Sequence, residues 1–274
     1  MTMMRLLRLA ITVIFAATVV VFCRYWYLSR IKADRTYPVI SIENDTIEVS
    51  LKATDEELLA GVTAYDEKDG DLTDRIIVES ISKFTEIGTC KVHYAVCDND
   101  NHVSSAYRKV VYKGYTSPVF TMNRPLCFSQ LDTVDAADVI GAYDVIDGDI
   151  SGNIIITSTD YEYGVNGTYS VKAEVTNSKG DQINISLPLI VEDRSVNAPV
   201  ITLTDYLIYR KKGEKVDPAA FFVSALDSYE QDVSATLRTE NNFKSDVPGV
   251  YSFHYFAEDQ LGRQGHSVLT VVVS

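Results

Sequence analysis

The chain has 274 residues, 46% of them apolar and 23% charged, with a formal charge of −13 and four cysteines. That length suits two or three domains, and the near-average composition excludes a disordered tail, a collagen-like fibre and a polytopic membrane protein. The acidic balance excludes a nucleic-acid binder, which needs a basic face to displace counterions from phosphate, and four cysteines are too few for a disulfide scaffold.

The charge is unevenly placed. Six of the 25 basic side chains (Arg5, Arg8, Arg24, Arg30, Lys32, Arg35) but only one of the 38 acids, Asp34, lie in the first 35 residues. Residues 9–23 carry no charge, and with Arg24, Tyr25, Trp26, Tyr27 and Leu28 the stretch 9–28 makes a helix of about 30 Å, one hydrocarbon core. Arg24 can snorkel, and Tyr25, Trp26 and Tyr27 form an interfacial aromatic belt. Trp26 is the only tryptophan in the chain. A cleaved signal peptide needs small residues after the apolar run, and residues 20–27 lack them. A lipoprotein anchor at Cys23 would want a small residue before it, and Phe22 stands there. Residues 9–28 are therefore expected to be an uncleaved transmembrane signal anchor behind a short cytoplasmic tail, residues 1–8.

The remainder repeats three times. Pro38-Val39-Ile40 returns as Pro118-Val119-Phe120 and as Pro199-Val200-Ile201, at steps of 80 and 81 residues. Ala64-Tyr65-Asp66 returns as Ala142-Tyr143-Asp144 and Ala225-Leu226-Asp227, and Gly88-Thr89-Cys90 as Gly167-Thr168-Tyr169 and Gly249-Val250-Tyr251. Ten residues past each of these glycines stands a turn beginning at Asp98, Asn177 or Asp259. After the glycine, apolar residues alternate (Cys90, Val92, Tyr94, Val96; Tyr169, Val171, Ala173, Val175; Tyr251, Phe253, Tyr255, Ala257), the period of a half-buried strand. The turn makes each a hairpin. In the second repeat the return strand alternates from Ile183 to Val191, with Pro188 implying an edge or a bulge. The fold class expected is all-β: three tandem immunoglobulin-like Greek-key sandwiches, residues 38–114, 118–192 and 199–274, behind one N-terminal transmembrane helix. Helix signals elsewhere are confined to short turns near Asp55 and Pro218. Short polar linkers at 113–117 and 192–198 predict a rod.

The pattern Pro-x-Ile, then Ala-x-Asp-x-x-Asp-Gly-Asp, then Gly-Thr-Tyr and a hairpin resembles the bacterial surface immunoglobulin-like repeats, a family also found appended to some pesticidal crystal proteins. Asp66-Glu67-Lys68-Asp69-Gly70-Asp71 and Asp144-Val145-Ile146-Asp147-Gly148-Asp149 carry the motif. The third repeat, Asp227-Ser228-Tyr229-Glu230-Gln231-Asp232, loses the glycine. The resemblance implies the fold and a surface location, with spacer or adhesive roles. Flanking charges alone would place the repeats inside the cell. Their exported character sets the opposite expectation, a single-pass protein of the cell membrane with extracellular C-terminal repeats.

Three carboxylates in six residues are candidate Ca²⁺ ligands, since that ion takes about six to eight hard oxygens: Asp66, Asp69, Asp71, Asp144, Asp147 and Asp149. The competing reading, preferred here, makes them Asx-turn residues that bond their own backbone. Tyr169 and Tyr251 have the position of a tyrosine corner, with Cys90 in that place in the first repeat. Cys90 points inward and Cys97 outward, so they cannot pair within one strand; a bond from the first repeat to Cys127 is the alternative to free thiols. His93, His102, His254 and His266 are scattered, without zinc-type spacing, and are read as surface residues. Two Ser-x-x-Lys matches, at Ser29 and Ser80, lack the companion motifs of acyl-enzymes, and no phosphate loop, dinucleotide fingerprint or nucleophile elbow is present. The expected function is a non-catalytic cell-surface spacer and adhesive module meeting an unknown extracellular protein or glycan. The alternatives are a surface glycan-binding protein and a non-catalytic subunit of a cell-envelope assembly.

Overall fold

The computed structural model describes residues 2–32, 35–130 and 132–274; Asp34 and the side chains of Arg5, Arg30 and Lys32 lie outside the described set. The chain opens with α1 (Thr2–Lys32). Within it Leu7–Leu28, 22 residues, is long and apolar enough to cross a membrane. The two threonines of this stretch turn their hydroxyls back on the helix. Thr12 donates to the Arg8 carbonyl at 2.5 Å and Thr18 to the Phe15 carbonyl at 2.8 Å, so neither presents a bare hydroxyl to an apolar surround.

Among the described residues, twenty strands and one short α-helix follow. In the first repeat they are β1 (Val39–Ile42), β2 (Thr46–Val49), α2 (Asp55–Leu59), β3 (Val62–Asp66), β4 (Gly70–Asp71), β5 (Ile77–Ile81), β6 (Thr89–Cys97) and β7 (Val103–Tyr112). The second repeat has β8 (Val119–Met122), β9 (Cys127–Ser129), β10 (Ile140–Asp144), β11 (Gly148–Asp149), β12 (Ile155–Thr159), β13 (Gly167–Thr176) and β14 (Gln182–Glu192). The third has β15 (Val200–Leu203), β16 (Leu207–Arg210), β17 (Phe222–Leu226), β18 (Arg238–Asn241), β19 (Gly249–Glu258) and β20 (Gln264–Val273).

Each repeat makes one small sheet and one four-stranded sheet: β1-β3-β4 with β2-β7-β6-β5, β11-β10-β8 with β12-β13-β14-β9, and β15-β17 with β16-β20-β19-β18. The entering strand of a repeat is split between its two sheets. In the second repeat β8 pairs antiparallel with β10, while β9 crosses over and pairs parallel with β14; β15 and β16 divide in the same way, β16 running parallel to β20. Side chains of both sheets meet in one core. In the second repeat Phe120, Ile140 and Ala142 face Phe128, Val171, Ala173, Leu187 and Leu189; in the third Ile201 and Ala225 face Phe253, Tyr255, Leu269 and Val271. The three β-sandwiches are thus those the alternation predicts.

Local chemistry explains the exceptions to plain strand. Thr54 caps α2, its hydroxyl accepting from Glu57 N–H at 3.4 Å with Asp55, Glu56 and Glu57 in the first turn, a charge placement that suits a helix N-terminus. Asp217 caps the 3₁₀ turn Pro218–Phe221 in the same manner. The edge strands β5 and β12 each carry a register shift at the same place, Val78/Ser80 and Ile156/Ser158, which disrupts an open edge that would otherwise template further pairing. Pro188 lies in β14, a central strand, opposite Ser170 of β13. Its missing N–H is on the side of β9, two residues before β9 begins pairing at Ile190. The strand is central in the sheet yet locally an edge at the proline, as the residue requires.

By packing, the chain divides into two compact units: Met1–Val49, Ala53–Ser82 and Lys91–Val111 form the first, and Ser50–Lys52, Lys83–Cys90 and Tyr112–Ser274 the second. Inside the first, Tyr94 and Arg108 are fully buried. Tyr94 donates its hydroxyl to the Leu58 carbonyl at 2.7 Å, and Arg108 Nε donates to the Tyr94 oxygen at 2.7 Å. Tyr255 of the third repeat repeats the tyrosine bond, donating to the Pro218 carbonyl at 2.8 Å. Arg108 has no such counterpart, since Leu187 and Leu269 hold its position, and its Nη1 has no partner. Inside the second unit Tyr169 and Tyr251 make the two predicted corners, donating to the Val165 carbonyl at 2.9 Å and the Val247 carbonyl at 2.8 Å.

A buried charge with an orphaned donor is a weak stabiliser against an apolar side chain, because desolvation offsets its pairing. Arg108→Leu, which leaves the Tyr94–Leu58 bond intact, is expected to be at least as stable as the parent chain. Tyr94→Phe leaves the Leu58 carbonyl with Arg108 Nη2 as its remaining side-chain donor but strips the buried Arg108 Nε of its acceptor, and is expected to lose about 1–3 kcal/mol. Denaturant unfolding of the two variants checks the order, and a strongly destabilised Arg108→Leu would contradict it.

Candidate functional site

The six predicted aspartates sit at the β3–β4 and β10–β11 turns. Asp66 and Asp144 end their strands and are buried. Asp66 Oδ1 accepts from the backbone N–H of Lys68 at 2.9 Å and Asp69 at 3.0 Å; Asp144 Oδ1 accepts from Ile146 at 2.8 Å and Asp147 at 2.9 Å. The remaining oxygens also have donors: Thr36 and Asn177 on the Oδ2 atoms of Asp66 and Asp144, and Asn99 N–H on Asp69. Asp147 takes both the N–H and the hydroxyl of Ser178. Asp71 and Asp149 cap the following 3₁₀ turns, accepting from Thr73 and Ser151 N–H at 2.9 Å each. Hydrogen bonds from Thr73 and Ser151 hold both carboxyls below the usual aspartate range. Gly70 and Gly148 supply the left-handed residue, at φ 79° and 75°. The third repeat replaces the glycine by moving the left-handed residue one place earlier, to Glu230 at φ 62°. Asp227 Oδ1 then accepts from Tyr229 and Gln231 N–H.

That second geometry is the one the long hairpins use. Asp98 Oδ1 accepts from Asp100 and His102 N–H, Asn177 Oδ1 from Lys179 and Asp181, and Asp259 Oδ1 from Leu261 and Arg263, all within 2.8–3.0 Å. Asn101, Gly180 and Gly262 take the positive φ. Burial pushes the Asp98 and Asp259 carboxyls upward, but the N–H donors, with the His102 ring and the Arg263 guanidinium, prevail and hold both below the ordinary value.

The clustering of chemically reactive side chains occurs elsewhere, inside the second unit, where Cys127 opens β9, Glu192 closes β14 and His266 lies near the start of β20. Parallel pairing sets Ile190 beside Cys127 and Glu192 beside Ser129. His266 Nδ1 is 3.4 Å from Cys127 Sγ and 2.8 Å from Glu192 Oε2, and Cys127 Sγ is 3.8 Å from Glu192 Oε1. One sulfur, one nitrogen and one oxygen therefore lie within 4.8 Å of one another, the one such group of metal-ligating atoms among the described residues. The outer nitrogen of His266 meets His254 Nδ1 at 3.0 Å, and Phe256 stacks on the His266 ring at 4.4 Å. Arg194 donates to the His266 carbonyl at 2.9 Å and lies 3.9 Å from Cys127 Sγ. A cavity of about 370 Å³, lined in part by Arg124, Asp132, Arg194, Tyr206 and His266, adjoins the cluster.

Burial, seconded by Glu192, pushes the Cys127 thiol up to about 12. Burial opposes ionisation of Glu192, yet His266 and then Arg194 hold its carboxyl below the usual range. Both Cys127 and Glu192 face the same ring nitrogen of His266, so the ring does not relay a proton between them as the histidine of a nucleophilic triad does. His266 is only 9% exposed, which corrects the reading of it as a surface residue. All four cysteines are free, Cys90 and Cys127 buried, and the bond between Cys127 and the first repeat does not form.

These turns and this cluster belong to a tandem β-sandwich protein behind an apolar helix. No protein-family model matches the chain. Among curated proteins, an uncharacterized 81.3 kDa protein of Acholeplasma phage L2 is 30% identical over 138 residues, 48% of this chain and 18% of the phage protein. Pesticidal crystal protein Cry22Aa of Bacillus thuringiensis is 24% identical over 259 residues, 89% of this chain and 34% of the crystal protein. The chain thus spans about a fifth and a third of the length of these relatives. Among solved structures, Drosophila N-cadherin EC1-3 aligns over 89% of this chain and 90% of its own at 13% identity, with a TM-score of 0.30. The M60 catalytic domain with the CBM51-1 and CBM51-2 domains of Clostridium perfringens ZmpB aligns over 88% of this chain and 31% of its own at 14% identity, with a TM-score of 0.24.

Carboxylates held below their free values lend stability that is complete above the unfolded aspartate range, about 4, and is lost as the pH falls through their lowered values. For Asp71, Asp98, Asp149 and Asp259, and for Asp232, which hydrogen bonds from Ser234 hold low in the same way, this predicts a urea midpoint insensitive to these groups between pH 7 and 5 and falling below about pH 4. Asp144→Ala, which strips two backbone N–H groups and the Asn177 amide of their acceptor, is expected to cost about 1–3 kcal/mol at neutral pH. Midpoints measured across that range check both, and an Asp144→Ala chain as stable as the parent would refute the capping role.

Proposed function

We propose that the chain is a membrane-anchored, non-catalytic binding module. In this reading α1 spans the cell membrane once, and the sandwiches stand outside it as a spacer that meets an extracellular partner, without a cofactor. The observation that supports a binding role is a cross-strand pair on the outer face of each small sheet. Val39 lies opposite Tyr65, Val119 opposite Tyr143 and Val200 opposite Leu226, and all six side chains are exposed, Val39 and Tyr65 by 63% and 62%. Apolar pairs at one register in three repeats, on an otherwise acidic surface, suit contact with another molecule better than solvent. Tyr37, Tyr107, Tyr163 and Tyr229 are also more than half exposed, which keeps glycan binding as the second reading, since an outward ring can stack on a sugar face.

Protease treatment of intact cells carrying an epitope after Ser274 is expected to remove the epitope without lysis; protection until lysis would end the surface reading. Tyr65→Ser with Tyr143→Ser is expected to abolish retention of the chain on its target surface while the circular dichroism stays unchanged. Retention of the parent on immobilised polysaccharide, lost in the same double variant, would favour the glycan over the protein partner. Calcium at the aspartate turns is tested in parallel, through the unfolding temperature with the ion or a chelator added.

A further inference from the structure

We infer that Cys127, Glu192 and His266 form a zinc site that ties the second repeat to the third. The three residues come from three places that the fold alone brings together: the start of β9, the end of β14 where the polypeptide leaves the second repeat, and β20 of the third. Their donor atoms are a thiol sulfur, a carboxylate oxygen and a ring nitrogen, the set that Zn²⁺ accepts. Tetrahedral zinc, with bonds of about 2.3 Å to sulfur and 2.0–2.2 Å to nitrogen and oxygen, separates such atoms by roughly 3.4–3.6 Å. The sulfur–nitrogen separation, 3.4 Å, and that of the sulfur from Glu192 Oε1, 3.8 Å, already straddle that range. The ring nitrogen meets the other carboxylate oxygen, Oε2, at 2.8 Å, the separation of a shared proton, and this pair opens by roughly 0.6 Å when a cation takes the proton's place.

The surroundings are those of a ligand set rather than of a surface ion pair. His266 Nε2 meets His254 Nδ1 at 3.0 Å. With its proton on Nε2, His266 donates to His254 and turns the Nδ1 lone pair toward sulfur and carboxylate, the outer hydrogen bond by which ligating histidines are fixed. Phe256 packs flat on the ring and restricts its rotation. Zinc binding then releases one proton, from the Cys127 thiol, while the ring proton moves from Nδ1 to Nε2, and Arg194, near the sulfur, supports the thiolate. The fourth position faces the adjoining cavity of about 370 Å³ and is filled by water. Three protein ligands and one open position give a clamp between repeats that is independent of which side of the membrane they occupy.

The test uses the full chain in detergent micelles, with Co²⁺ and then Zn²⁺ as the probes. One equivalent of Co²⁺ is expected to give visible d–d bands and a near-ultraviolet thiolate-to-cobalt band, both abolished when Zn²⁺ displaces it. Cys127→Ser is expected to lose the thiolate band, and His254→Phe to weaken zinc by about 10–100-fold, the usual effect of removing a ligand's outer partner. Zinc is also expected to raise the unfolding temperature of the parent and not of His266→Gln. Absence of the thiolate band from the folded parent, or its persistence in Cys127→Ser, where Cys23, Cys90 or Cys97 would be its source, overturns the site.

Discussion

A single side-chain oxygen accepting two backbone N–H groups is the device on which these sandwiches depend. Asp66, Asp144 and Asp227 use it where a short strand turns, and Asp98, Asn177 and Asp259 use it at the tip of each long hairpin. An extended pair such as β13 and β14 has one register that buries Val171, Ala173 and Val175 together with Leu187 and Leu189, and a slip by one residue would turn every one of them to water. The capped turn removes the slip. Register then decides which residues face inward, and the inward residues make the core.

The turns also carry the connections within the second unit. Asn177 caps its hairpin with Oδ1 while its amide reaches the Tyr115 hydroxyl and Asp144, and Tyr115 donates to Asp181. The Phe84 ring lies edge-on to Tyr115 at 4.8 Å, and its N–H bonds the Lys179 carbonyl. Between the second and third repeats the Tyr209 hydroxyl both accepts from and donates to the backbone of Phe120, and Leu207 joins the core of the second repeat. Within the third repeat, Gly265 lets β20 pass close to the entering chain for a plain steric reason: a Cβ there would stand 2.0 Å from the Pro199 carbonyl oxygen.

The features legible in the sequence are those carried by local chemistry repeated three times. Alternation places Val92, Tyr94, Val171 and Phe253 inward, the tyrosine corners follow from Gly-x-Tyr, and the Asx reading of the aspartates follows from their spacing to Gly70 and Gly148. The split of the entering strand is not legible, because β8 and β9 are three or four residues each and carry no period of their own. Nor is the cluster at Cys127. Cys127 and His266 are 139 positions apart and belong to different repeats, so no spacing rule joins them. The alternation places His266 with Val268 on the face of β20 opposite Leu269 and Val271, and the available signal was the apolar Val268 on that outer face, which packs with Cys127 and Ile190. Arg108 was hidden for the opposite reason, a charged residue holding a leucine's place in an otherwise faithful repeat.

The parallel pairing of the entering and leaving strands has a mechanical meaning. A pull on the two ends of the second repeat drags β9 and β14 past each other along their own direction. The bonds from Ile190 N–H to the Leu126 carbonyl and from Gln130 N–H to the Glu192 carbonyl lie across that movement and are loaded together. An antiparallel pair with both ends on one side would peel open one bond at a time. The third repeat is built alike, with Thr270 bonded to Tyr206 and Ser274 to Arg210. A chain of such units resists stretching in shear, the mode in which a few short strands hold the greatest load.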